Sequence, residues 1–249
     1  MKKYYLVLLL VFGTWVGLYA QLGQAIKYQR EGEYEKAIEA IDRMVAKDRK
    51  KQVSGSFPDT IFALTLEAAH GIYFANGIYE KALFFSQEAA SLWKRKSETH
   101  PVYFRNLFWV SFTCARMGRY AEAEKTLDFL SELKQKKPAY FLEGGKEVVT
   151  FSSIANVYQE ANLLEKAEQS YLKGLQMYRT VFGGRRYKNL LIAGLTNLSD
   201  IKSYAGYVMT LNEMATFYEI TTMMGKAEPV YDQLVFLAAQ KLGTDNLDY

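Results

Sequence analysis

Five alanines, Ala37, Ala82, Ala123, Ala167 and Ala227, recur in one local setting, spaced 45, 41, 44 and 60 residues apart. Each follows a small or polar turn residue and precedes an amphipathic run. The string Gly32-Glu33-Tyr34-Glu35-Lys36-Ala37 returns as Gly77-Ile78-Tyr79-Glu80-Lys81-Ala82 and as Gly118-Arg119-Tyr120-Ala121-Glu122-Ala123. It drifts to Asn162-Leu163-Leu164-Glu165-Lys166-Ala167 and to Thr222-Met223-Met224-Gly225-Lys226-Ala227. A period of this size marks a stacked array whose units bury a face only against their neighbours. The chain therefore reads as a helical-repeat array and not as an enzyme.

Each copy has the same physical grammar. A helix ends, the chain turns through Gly or Asn, and a second helix starts on an aromatic or aliphatic anchor. Gly supplies the left-handed backbone that closes a helix at low cost. The alanine belongs where two helices approach too closely for a larger side chain. Seven residues before the turn stand Ala25, His70, Ser111, Ala155 and Ala215, small in four of five copies. Three residues further come Tyr28, Tyr73, Cys114, Tyr158 and Tyr218. After the alanine, apolar residues return at helical spacing, as in Leu127 and Leu130 or Tyr171 and Leu175.

This pattern of small residue, Tyr, Gly-x-Tyr-x-x-Ala and an apolar pair resembles the tetratricopeptide repeat (TPR). The spacings exceed the standard unit of about 34 residues, so the chain is similar to the long-repeat, kinesin-light-chain-like variant and to exported bacterial arrays. Lys226-Ala227-Glu228-Pro229-Val230-Tyr231 and Thr99-His100-Pro101 carry that likeness. Two departures stand out: Leu66, Leu107, Phe151 and Leu211 replace the usual first-helix Trp, and Cys114 replaces a Tyr. The resemblance implies an all-α fold, a right-handed α-α superhelix (TPR solenoid) of about five helix pairs plus an inserted segment. Its repeats fall at about 21–51, 60–97, 101–137, 146–182 and 205–243, with the insertion at 183–204. Apolar residues of the insertion, Leu190 to Leu198, predict a short extra helix or a lengthened pair.

Residues 1–20 read as a secretory signal peptide. Met1-Lys2-Lys3 is a basic start, Tyr4 to Leu18 is apolar, and Leu18-Tyr19-Ala20 precedes the cut. The expectation is an exported protein, periplasmic or extracellular, with a TPR solenoid over 21–249. No stable membrane insertion is expected once the leader is removed. Without Lys2 and Lys3 the chain has 29 basic against 27 acidic residues, too balanced to suggest nucleic acid as a partner. The clusters at Lys47–Lys51, Lys94–Lys96 and Lys134–Lys137 fall at second-helix ends, where cations complement the helix dipole. One cysteine, Cys114, allows no internal disulfide, and its register makes it a buried small hydrophobe.

Catalytic chemistry is hard to assemble from this chain. Two histidines and one cysteine cannot build a Cys/His metal site. His70 sits at the close-packed small position, and His100 precedes the Pro101 that opens a helix. Gly183-Gly184-Arg185-Arg186 lacks the lysine-hydroxyl ending of a phosphate loop. No catalytic residue, metal or cofactor is expected.

The resemblance implies instead a groove, lined by the first helix of each pair, that holds a peptide or partner helix. Its residues would be Gln29, Arg30, Glu67, Phe74, Arg105, Phe108, Phe112, Arg116, Asn156, Gln159, Asn212 and Glu219, with Ser152 beside them. Asn156 takes the place of the Asn that fixes a peptide backbone in peptide-binding members. Phe108 and Phe112 could face a partner or pack between helices; both readings stay open. The leading expectation is an exported, non-enzymatic scaffold for a protein or peptide partner, of undetermined oligomeric state. A second is that the chain is the recognition arm of a longer protein with a CHAT-type protease or sensor-kinase domain. A third is a glycan- or nutrient-binding component.

Overall fold

A computed structural model describes residues 22–143, 146–181 and 198–242. The leader, Gly183 to Asn197 of the insertion, and the last seven residues lie outside them. Ten α-helices follow one another among the described residues. They are α1 (22–30), α2 (Tyr34–Val53), α3 (Asp59–Ala75), α4 (Tyr79–Lys96) and α5 (Pro101–Arg116). Then come α6 (Tyr120–Lys136), α7 (Phe151–Glu160), α8 (Leu164–Val181), α9 (Leu198–Ile220) and α10 (Met224–Leu242). Helices α2 to α5 each pack on the next, and so do α7 to α10, the arrangement short turns impose.

All five repeat alanines are buried, four of them completely. The turns before them explain the repeating string. Gly32, Gly77, Gly118, Asn162 and Thr222 take φ of 77°, 72°, 74°, 57° and 61°. The next residue's N–H then reaches back to the carbonyl of Tyr28, Tyr73, Cys114, Tyr158 or Tyr218, at 2.7–2.9 Å. This is the Schellman closure, which satisfies carbonyls left open at a helix end. The same residue, Glu33, Ile78, Arg119, Leu163 or Met223, accepts the alanine N–H through its own carbonyl. One residue thus ends one helix and starts the next.

Two compact units divide the chain, one of residues up to 126 together with 137–148, the other of 127–136 together with residues from 149 onward. In the first, Phe62, Leu66, Tyr73, Leu92 and Phe104 form the core. Between α6 and α7 the chain departs from the all-helical expectation. Pro138–Phe141 is a 3-10 turn, and Leu142–Glu143 pairs antiparallel with Lys146–Glu147. Phe141 is fully buried and stacks on Phe104 of α5 at 4.8 Å, which anchors this loop in the first unit. It also shortens α7 to 10 residues, so the fourth pair opens at Phe151, five residues after the expected 146.

In the second unit Leu127, Leu130, Ile154, Tyr171, Leu211 and Phe217 are buried. Ser152 of α7 donates to Thr210 of α9 at 3.0 Å within it. A Cβ on Gly174 would meet Phe151 Cβ at 3.1 Å, so glycine there permits a close α7–α8 approach. Helix α9 starts at Leu198, inside the segment expected to be an insertion, and runs for 23 residues against 17 for α3. Part of the wide fourth spacing is thus taken up as helix.

The basic clusters fall where dipole complementation expects them: Lys50 and Lys51 sit in the last turn of α2, Lys94, Arg95 and Lys96 in that of α4, and Lys134 and Lys136 in that of α6. Arg49, however, grips Glu88 of α4 through two hydrogen bonds of 2.6 and 2.7 Å. Lys134 is 1% exposed, with its ammonium 5.5 Å from the Phe151 ring centroid. Sequence position near a helix end does not reveal which face a lysine occupies, and Lys134 occupies the packed one.

Candidate functional site

The expected groove residues all stand on the odd-numbered helices, α1, α3, α5, α7 and α9. Six of them gather on α3 and α5 in the first unit. Phe74 lies 5.0 Å from Phe112 and 5.3 Å from Tyr79 between ring centroids. Phe108 contacts Trp109 at 5.4 Å and Phe112 at 6.2 Å. The Arg116 guanidinium covers the Phe112 ring at 5.6 Å. All four of Phe74, Phe108, Trp109 and Phe112 are half-buried, so each packs on a neighbour and still presents an edge or face to solvent. Phe112 packs across to Phe74 of α3, whereas Phe108 packs on rings of its own helix, and both stay partly open to solvent.

Beneath this cluster lies His70, 4% exposed and 5.4 Å from the Trp109 ring. Its Nδ1 pairs with the carbonyl of Ala82 at 3.1 Å. The repeat thus tolerates His at a small position because the ring bridges to the second helix. Burial lowers its pKa, against a smaller opposing effect of the Ala82 hydrogen bond.

Glu67 and Arg105 are bonded to each other within the first unit. Glu67 Oε1 accepts from Trp93 Nε1 at 3.1 Å and from Asn106 Nδ2 at 2.8 Å. Its Oε2 accepts from Arg105 Nη2 at 2.7 Å. One carboxylate therefore joins α3, α4 and α5. Trp93 in turn stacks on His100 at 4.4 Å, while His100 caps α5 by accepting from the Val102 N–H.

The remaining residues are separate from this cluster. Gln29 of α1 is half-buried and accepts from Asn76 at 2.8 Å, whereas Arg30 is exposed. On α7, Asn156 is exposed and accepts from the Tyr171 hydroxyl, and Gln159 is half-buried. On α9, Asn212 and Glu219 are exposed, with Glu219 accepting from Tyr231 at 2.9 Å. Ser152 is buried. Sequence reasoning overlooked Asn106 and Glu213 and read Tyr171 only as a core residue. The available signal was register: nine residues before the turn stand Gly23, Ala68, Trp109, Ser153 and Glu213. Trp109 and Glu213 are the two large residues at an otherwise small position.

A second recurrent constellation joins successive pairs. Tyr73 donates to Asp42 at 2.5 Å, Tyr158 to Asp128 at 2.6 Å and Tyr218 to Glu168 at 2.6 Å. The lysine before each repeat alanine completes it. Lys166 binds Asp128 at 2.8 Å, Lys226 binds Glu168 at 2.8 Å, and Lys81 reaches the Tyr73 hydroxyl at 3.2 Å. In the third copy Cys114 and Glu122 replace the tyrosine and lysine together. Glu122 pairs locally with Arg119 instead. Cys114 is 1% exposed, and burial pushes its thiol pKa up, the direction of an inert packed cysteine.

Among the described residues no group of three or more His, Cys, Asp or Glu is placed to hold a metal ion. Nor is any described helix long and apolar enough to cross a membrane.

Fold and turn chemistry together define a protein of the TPR-like helix-pair repeat class. Solved structures bear this out. A Podosopora anserina protein described as a kinesin light chain with nearly identical TPR-like repeats superposes with a TM-score of 0.61 and 15% identity, covering 90% of this chain and 96% of that one. A variant of it gives a TM-score of 0.62 over 90% and 95% of the two chains. BtubC (BKLC) from P. vanneervenii gives a TM-score of 0.60 at 14% identity, covering 89% of this chain and 80% of that one. No protein-family model matches the sequence, and no curated protein matches it.

Proposed function

We propose that this chain is an exported, non-enzymatic scaffold that holds a peptide or helix of another protein against the first helices of its pairs. The observation that carries the reading is the half-buried cluster of Phe74, Phe108, Trp109 and Phe112 under the Arg116 guanidinium. Aromatic side chains give large contact areas at low conformational cost, and arginine with aromatics is the usual make-up of an interface hot spot. The TPR-like fold supports the same reading, since stacked helix pairs provide an extended face for a helix or strand. Near-neutral charge supports a protein partner rather than nucleic acid.

Selection of random displayed peptides on the full chain tests the surface. Recovered peptides should lose at least about tenfold in affinity on Phe108→Ala with Arg116→Ala, equivalent to roughly 1.4 kcal/mol. The double variant must keep its unfolding temperature within a few degrees for the result to count. Unchanged affinity would place binding elsewhere. Export rests on the leader, and intact mass of the native product tests it. Cleavage after Ala20 yields a species roughly 2 kDa lighter than the 28.5 kDa chain. A substantially heavier product would favour the recognition-arm reading.

A further inference from the structure

The second helix of every pair carries a repeat alanine in its first turn, and the positions four, seven and eight residues later behave alike in four copies. In α2, α4, α6 and α8 all three are buried, from Ile41, Met44 and Val45 to Tyr171, Gly174 and Leu175. What covers this face is the first helix of the next pair. Phe217 of α9 lies 5.6 Å from the Tyr171 ring, and a Cβ on Gly174 would meet Thr210 of α9 at 3.5 Å. On α2 the face continues to Asp48, which accepts from Thr65 of α3 at 3.0 Å.

Helix α10 departs from this rule. Its three positions are Tyr231, Leu234 and Val235, and none is buried: Tyr231 is 37% and Val235 48% exposed, with Leu234 half-buried. The helix is nonetheless firmly seated. Ala227 and Leu237 are buried, Gln233 donates to Tyr207 of α9 at 2.7 Å, and Tyr231 donates to Glu219 of α9 at 2.9 Å. With half-buried Ala238, the three residues form a stripe spaced i, i+3, i+4 and i+7, on one helix face and without a charge. An apolar face at a place where this fold packs helix on helix is an interaction surface.

The stripe is also self-complementary. Positions 231, 234, 235 and 238 are symmetric about the midpoint between Leu234 and Val235. When two copies of α10 cross antiparallel at that point, Leu234 of one faces Val235 of the other, and Tyr231 faces Ala238. Large side chains then oppose small ones, as close packing requires, and the stripe brings no like charges together. Matching one patch to itself across a two-fold axis is the commonest way a soluble chain pairs.

We infer that the outer face of α10 is an interface for a second copy of this chain, the two α10 helices packing antiparallel about an axis between Leu234 and Val235. Each α10 takes, for its partner, the place that a next first helix takes on α2, α4, α6 and α8. The inference is independent of peptide binding, since the aromatic cluster stands on first helices and this stripe on a second.

Sedimentation equilibrium of the full chain over a concentration series tests it. The mass should rise to twice 28.5 kDa. Val235→Glu sets two carboxylates beside the axis and should weaken the association about tenfold or more. Leu172→Glu, at an exposed apolar residue of α8, should leave it unchanged. In Val235→Cys a short bis-maleimide should join two chains, whereas Leu172→Cys should stay single, and Cys114 is buried from the reagent. Because both positions are exposed, every variant should keep the far-ultraviolet helical signal of the unaltered chain, which separates lost association from lost folding. A single-chain mass throughout the series overturns the inference and leaves the stripe to a helix of another protein. A dimer that Val235→Glu leaves intact, or that Val235→Cys does not join, overturns it as well.

Discussion

The five turns differ in what their left-handed residue costs. Glycine adopts positive φ freely and Asn162 tolerates it, but Thr222 holds φ of 61° with a β-branched side chain. Thr222→Gly should therefore raise stability by about 1 kcal/mol, read as a higher urea midpoint with unchanged slope. His70 poses a pH question at the same scale. Its folded pKa lies below the ordinary 6.5, so below that pH the unfolded chain binds the proton that the folded chain refuses. Its stabilising contribution is complete above pH 6.5 and declines as pH falls toward the lowered folded value. Thermal unfolding should show this decline as pH falls below 6.5. His70→Leu should flatten it.

Among elements, the Tyr–carboxylate–Lys constellation is what links successive pairs. Burial would raise the Glu168 pKa, but hydrogen bonds from Lys226 and Tyr218 outweigh it and hold it below the usual range. Folding stability from that joint is thus present at neutral pH and lost as pH falls through the lowered value. Tyr158→Phe and Tyr218→Phe should each destabilise by about 1–2 kcal/mol, since each leaves a partly buried carboxylate short of a donor. Lys226→Met should cost less than about 1 kcal/mol, because the lysine is largely exposed. Chemical denaturation of the three variants checks this order. The third copy has neither tyrosine nor lysine, and the joint between α3, α4 and α5 is made by Glu67 with Trp93, Arg105 and Asn106 instead. The aromatic cluster above that carboxylate occupies the same joint.

Across the whole molecule, a peptide bound as proposed would be coupled to folding. A peptide that binds only the folded chain should stabilise it by about 2.7 kcal/mol at a hundredfold excess over Kd. Differential scanning with a recovered peptide should show that gain, and Phe108→Ala with Arg116→Ala should abolish it. The helix-pair fold was legible in the chain because its cause is local. The left-handed turn residue, the tyrosine whose carbonyl closes the helix and the alanine five positions on lie within one turn and its flanks, and recurrence multiplies a weak signal. Cys114 and His100-Pro101 could be placed for the same reason. The helices lining the candidate surface were legible from register as well. The side chains each lining residue would meet were not, because those partners come from helices roughly forty residues away. Glu67 and Arg105, which the sequence offered as two groove residues, form an ion pair with each other. Lys134 does end α6, and its packing over Phe151 comes in addition. Glu213 gave no local sign that its Oε2 is buried without a hydrogen-bond partner among the described residues. By itself, then, the sequence determined the period, the turns and the pairing of helices, which depend on bonds between near neighbours. Only the tertiary structure decided which polar groups pair with one another, because that depends on side chains brought together from different repeats.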